Sequence, residues 1–179
     1  MNWILLRMTV STLRSVLFGW TTTQSLWPYI HPPLLLGYGP LCVAPRWKHS
    51  FTLSLALPIV HSLLYAAIFV PLMAEGPAPG QDPPDIANMK SIFQLFADPD
   101  IFFCGWLHYL SFDLLVARGC AQDALEVCQV TDLQYYTMVV PCIFGCFYVG
   151  PIGFLMYMGL RTFVFPNNNT KNTKRTKEE

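Results

Sequence analysis

The chain has 179 residues and no formal net charge, with 11 Lys and Arg against 11 Asp and Glu. Hydrophobic residues make up 53% of it, aromatic residues 15% and charged residues 12%, where soluble domains carry about 25% charged. So few charges cannot cover a water-exposed surface, and the balance gives no electrostatic reason for a nucleic-acid partner. The composition predicts an integral membrane protein whose surroundings are membrane lipid.

Residues 1–23 contain Arg7, Arg14, several hydroxyl residues and no acid; the first acid of the chain is Glu75. Such a start reads as an organelle-targeting segment or as an interfacial helix leading into the first span. The first apolar segment runs from Gln24 to Val43, interrupted by Pro28, Pro32, Pro33 and Pro40. Proline removes a helix hydrogen bond and crowds the preceding turn, so this span is expected to be kinked, broken or re-entrant. The second segment, Phe51 to Ala74, reaches the roughly 20 residues that a crossing needs and carries Pro58 and His61.

Between Glu75 and Asp100 the chain is acidic and rich in turn signals. Within it, Met89 to Phe96 has the pattern of a short amphipathic helix for a membrane surface. Asp98-Pro99 predicts a helix start, with Asp98 as the cap and Pro99 in the first turn. A third span is expected from Ile101 to Ala117 and a fourth from Tyr136 to Leu160, with Pro141 and Pro151 inside. After Pro166 the chain is polar, aperiodic and reads as disordered. The expected fold is all-α, a multi-pass transmembrane bundle of four spans, formed by residues 24–165 and followed by a polar tail, 166–179.

Four spans would put the N-terminus, the acidic connection and the tail on one side. That side would hold Arg7, Arg14, Lys90, Arg161, Lys171, Lys174, Arg175 and Lys177, eight of the eleven basic residues. Arg46, Lys48 and Arg118 would lie opposite. The excess of Lys and Arg would turn both termini to the cytosol or its organellar equivalent.

Chemistry concentrates in the third span. Trp106-Leu107-His108-Tyr109-Leu110-Ser111-Phe112-Asp113 is an apolar run with an imidazole and a carboxyl group set into it. An ionised aspartate at a bilayer centre costs on the order of 3 kcal/mol and is normally partnered or used. Asp113 is therefore a candidate general acid, or else the centre of a structural bond to Arg118 or His61. His108, five positions earlier and about 140° away around a helix, is a candidate base or an interhelical hydrogen-bonding group. Trp106, Tyr109 and Asp113, spaced by three and four, share a face. His61 is placed to meet Asp113 across a helix interface. Gly150-Pro151-Ile152-Gly153 permits either close helix packing or a bend around a ligand.

The six cysteines lie mostly in or beside apolar runs, where thiols behave as small hydrophobes. Cys142 and Cys146 share a helix face, but no further pair or histidine completes a zinc set. No P-loop, dinucleotide fingerprint, histidine box or nucleophile elbow appears, so no cofactor is indicated.

Ala44-Pro45-Arg46-Trp47, then Gly105-Trp106-Leu107-His108-Tyr109-Leu110 followed by Phe112-Asp113-Leu114, then Val140-Pro141-Cys142, Gly150-Pro151-x-Gly153 and Arg161, together resemble the ABA4-like integral membrane family, named for abscisic-acid-deficient 4. The resemblance covers Leu26 to Arg161. It implies a role in carotenoid metabolism, in a plastid membrane where the source is photosynthetic. The implied reaction is the conversion of violaxanthin to neoxanthin, two isomers that interconvert without net redox change. Asp113 and His108 would then be acid and base, and Trp106, Tyr109 and Phe112 would line the polyene. Two other readings stay open: a non-catalytic scaffold or pigment binder that assists a separate enzyme, and a small proton-coupled transporter.

Overall fold

The computed structural model describes residues 23–76 and 83–165, and among them every regular element is helical. The expected targeting or interfacial start and the polar tail lie outside these residues, apart from Thr23. The helices are α1 (Thr23–Ile30), α2 (Leu34–Val43), α3 (Ser50–Glu75), α4 (Met89–Phe96) and α5 (Pro99–Gln122), which runs on as a π-helical segment, π1 (Asp123–Val127). A second helix begins as α6 (Asp132–Gln134), passes through π2 (Tyr135–Val139) and continues as α7 (Val140–Val149); α8 (Pro151–Phe163) follows.

Two helices are long and apolar enough to cross a membrane, Ser50–Ala74 and the α5–π1 stretch Pro99–Val127. The expected proline break of the first segment falls at His31-Pro32-Pro33, between α1 and α2. The Asp98 side chain accepts from the backbone N–H groups of Asp100 at 2.8 Å and Ile101 at 3.2 Å, which satisfies two of the donors that a helix start leaves open. The short helix expected at Met89–Phe96 is α4, capped by Asn88.

The chain falls into two compact units. Among the described residues, the first comprises 23–33, 59–76 and 83–109, and the second 34–58 and 110–165. In the first, Phe96 of α4 packs onto α5 at Gly105, where a Cβ would stand 2.8 Å from its ring. In the second, two tyrosines satisfy carbonyls at the end of α2: Tyr135 Oη donates to Leu41 O at 2.9 Å and Tyr136 Oη to Val43 O at 3.0 Å. A capping box formed by Thr131 and Gln134 starts α6, and Arg46 clamps the same loop through Asp132 Oδ1 at 2.6 Å and Val130 O at 2.9 Å.

The fourth expected span is not one crossing. Gly150 adopts φ 47°, and there the chain turns back so that α8 packs along α7. A Cβ on Gly153 would stand 2.0 Å from Cys146 N and 2.5 Å from Cys142 O. Residues eight apart in a continuous helix are about 12 Å apart along its axis, yet Gly145 and Gly153 are in van der Waals contact. The reversal brings Arg161 to Asp123, five residues beyond Arg118. Two membrane-length helices are present among the described residues, and the segment expected as a fourth span is a helical hairpin. The physical reason is that Gly150 takes a backbone conformation that L side chains disfavour, and Gly145 and Gly153 let the two arms touch.

Candidate functional site

In the first unit an indole and an imidazole, those of Trp106 and His31, centre an aromatic cluster. Trp106 Nε1 donates to His31 Nε2 at 3.1 Å, and His31 Nδ1 lies 3.0 Å from the Trp27 carbonyl. An indole N–H only donates. His31 Nε2 must therefore be the bare nitrogen, and Nδ1 carries the hydrogen that reaches Trp27 O. The contacts define one neutral tautomer. Around this pair, Trp27 lies 5.6 Å from Trp106 and stacks on Phe102 at 6.0 Å, and Tyr109 lies 5.5 Å from Trp106, ring centre to ring centre. The expected shared face of Trp106 and Tyr109 is thus present as a ring contact. His61 is buried in the same unit. His108 is exposed on α5, its ring 6.0 Å from that of Tyr65.

In the second unit the carboxyl group of Asp113 packs against the hairpin turn. A Cβ on Gly150 would come within 2.7 Å of Asp113 Oδ1, so only glycine leaves that space to the carboxylate. Gly150 is also the N-cap of α8. A helix start carries partial positive charge, which favours a negative group beside it. Pro151, exposed at the first position of α8, contributes a fixed φ and no N–H. Phe112 is exposed. Arg118, one expected partner of Asp113, donates instead to Phe51 O at 3.2 Å and lies over the Phe51 ring.

A second carboxylate was not singled out by sequence reasoning. Asp123 opens π1, and its Oδ2 accepts from Tyr157 Oη at 2.5 Å, Arg161 Nε at 2.8 Å and Cys128 Sγ at 3.7 Å. Burial first, and the adjacent Asp123 next, push the Cys128 thiol up, which keeps it a donor. Tyr157 and Arg161 stand one turn apart on α8, so a single carboxylate holds the returning arm of the hairpin. The only sequence signals were Asp123 just beyond an apolar run and the i, i+4 spacing of Tyr157 and Arg161. His31 was missed too, although it stands in an apolar segment as His61 does, at the Pro-Pro break.

Among the described residues the architecture is all-helical, with two membrane-length helices, a glycine-locked helical hairpin and a carboxyl group set on its turn. Residues 25–157 match the family model described as ABA DEFICIENT 4-like, and the chain belongs to the ABA4-like family. No curated protein and no solved structure matches it.

Proposed function

We propose that this chain is a multi-pass integral membrane protein of carotenoid metabolism that converts violaxanthin to neoxanthin without a cofactor, in a plastid membrane where the source is photosynthetic. Membership of the ABA4-like family supports the substrate class. The observation that carries the chemical reading is the Asp113 carboxyl group resting on Gly150 at the start of α8.

The reaction is an isomerisation and balances internally. A carboxyl group gives its proton to the epoxide oxygen, and the carbon–oxygen bond at C6 breaks to leave a hydroxyl group on C5. A base takes the proton from C7, and the freed electron pair closes the allene. Asp113 is the proposed acid and His108 the proposed base, or the reverse. General acid–base catalysis of this kind contributes about 10²–10⁴-fold. Trp106, Tyr109, Phe112, His61, Gly150 and Pro151 are the residues proposed to bind the substrate.

The test is pigment content. The chain is expressed in cells that accumulate violaxanthin, and the pigments are extracted and chromatographed. New neoxanthin supports the enzyme. Violaxanthin that co-purifies unchanged would replace it with a binder that serves a separate enzyme.

A further inference from the structure

The short helix α4 has an apolar face that the rest of the chain leaves largely open. Met89, Ile92, Phe93 and Phe96 stand at i, i+3, i+4 and i+7, which is one side of a helix; Lys90, Ser91 and Gln94 stand on the other. Met89 is 74% exposed, Phe93 70% and Phe96 45%, and no residue of α4 is buried. A lone helix of two turns is marginal in water even with a favourable sequence, so α4 needs a surface to lie on. α5 supplies only part of it. The ring of Phe96 covers Gly105, which stands about 9 Å beyond Pro99 along the helix axis. α4 is thereby folded back beside the first two turns of α5, a membrane-length helix, where Phe102 is exposed as well. Only Ala97 and Asp98 separate the two helices.

We infer that α4 is an interfacial helix, lying in the plane of the membrane with Met89, Ile92 and Phe93 in the boundary between headgroups and acyl chains and with Lys90, Ser91 and Gln94 turned to water. The inference rests on the membrane reading above but not on the isomerase reading. An amphipathic helix settles about 5–10 Å into that boundary, where an unpaired backbone group is costly. Both ends of α4 are closed against this cost. At its start Asn88 Oδ1 accepts from Lys90 N at 3.0 Å, Asp85 Oδ1 from Ala87 N at 2.9 Å and Ser91 Oγ from Asp85 N at 2.9 Å. At its end Ala97 N donates to Phe93 O at 3.1 Å and Asp98 N to Leu95 O at 3.2 Å. A lipid surface fits this face better than a protein partner does. A specific protein interface takes about 20–30 residues a side, whereas two turns of α4 present only Met89, Ile92, Phe93 and Phe96. Lys90 has a stem long enough to carry its charge from the helix to the headgroups.

Two readouts on the full-length chain in phosphatidylcholine vesicles test this. Release of the chain by alkaline carbonate would overturn the membrane reading and the inference with it. In chain that carbonate leaves in the membrane, Phe93 or Gln94, both exposed, is replaced by the photoreactive p-benzoylphenylalanine and irradiated. Phe93→p-benzoylphenylalanine is expected to attach to phospholipid several-fold more than Gln94→p-benzoylphenylalanine, as read by mass spectrometry. Equal lipid yields, or attachment of position 93 to a second chain instead, would overturn the inference alone. The wild-type chain gives a readout that needs no substitution. Hydrogen peroxide, which reaches the water on both sides of the vesicle, is expected to oxidise Met89 several-fold more slowly than it oxidises the same methionine in a synthetic peptide of residues 85–94. The fold by itself leaves Met89 74% exposed, so protection of that size comes from the lipid. Oxidation at the rate of the free peptide would overturn the inference.

Discussion

Asp113 Oδ1 occupies the space that a side chain at Gly150 would fill, 2.7 Å from where its Cβ would stand. One glycine therefore does two things: it lets the chain reverse, and it lets a carboxyl group reach the reversal. Gly150→Ala should impose a disfavoured positive φ, at about 1–2 kcal/mol, and push the carboxylate away. Lower Tm together with lost pigment conversion is the expected pair of results. Wild-type behaviour in both would mean that the close approach is not required.

Gly153 is the stricter steric test of the hairpin. A methyl group there would overlap backbone atoms of α7, so Gly153→Ala should destabilise by about 3 kcal/mol or open the hairpin outright. Gly159, on the same helix, faces open space. Gly159→Ala should be neutral or stabilise by about 0.5–1 kcal/mol through helix propensity. Thermal melts of the two variants in one detergent check the contrast, and equal effects would contradict a folded-back α8.

Asp123 holds α8 through Tyr157 and Arg161. The ion pair is partly solvated, with side chains 24% and 32% exposed, so solvent screening limits its worth. Asp123→Asn is expected to cost about 1–2 kcal/mol and Tyr157→Phe about 1 kcal/mol. Because both changes weaken the same bond, Asn keeping an acceptor oxygen but not the charge, the double variant should lose less than the sum. Full additivity in denaturation would show that the contact carries no energy.

The His31–Trp106 contact predicts a specific tautomer. Nitrogen NMR of the His31 ring should show a protonated Nδ1 and a bare Nε2. In Trp106→Phe the bare nitrogen should lose its hydrogen-bonded shift. A hydrogen on Nε2 of neutral wild-type His31 would contradict the contact.

Much of the helix pattern was legible because local signals decide it. Asp98-Pro99 announces the start of α5, the Pro-rich stretch at 32–33 separates α1 from α2, and Met89–Phe96 is a helix as its amphipathic spacing requires. The reversal at Gly150 was not legible. A Gly-Pro pair in an apolar run reads equally as a kink or a turn, and contacts between Gly145 and Gly153 decide which. The same applies to Asp123: its partners lie 34 and 38 residues away, and no helical period connects them. His31 shows a related limit, since its partner Trp106 is 75 residues distant. The π-helical turns at Asp123–Val127 and Tyr135–Val139 leave no mark in the hydrophobic pattern.

The central claim is that the carboxyl group of residue 113 moves the proton. Asp113→Asn keeps the size of the side chain and removes its acidity. Purified, membrane-reconstituted wild-type protein supplied with violaxanthin should form neoxanthin. Asp113→Asn protein, folded and inserted to the same extent, should form none. Neoxanthin made by the variant at the wild-type rate would contradict the account.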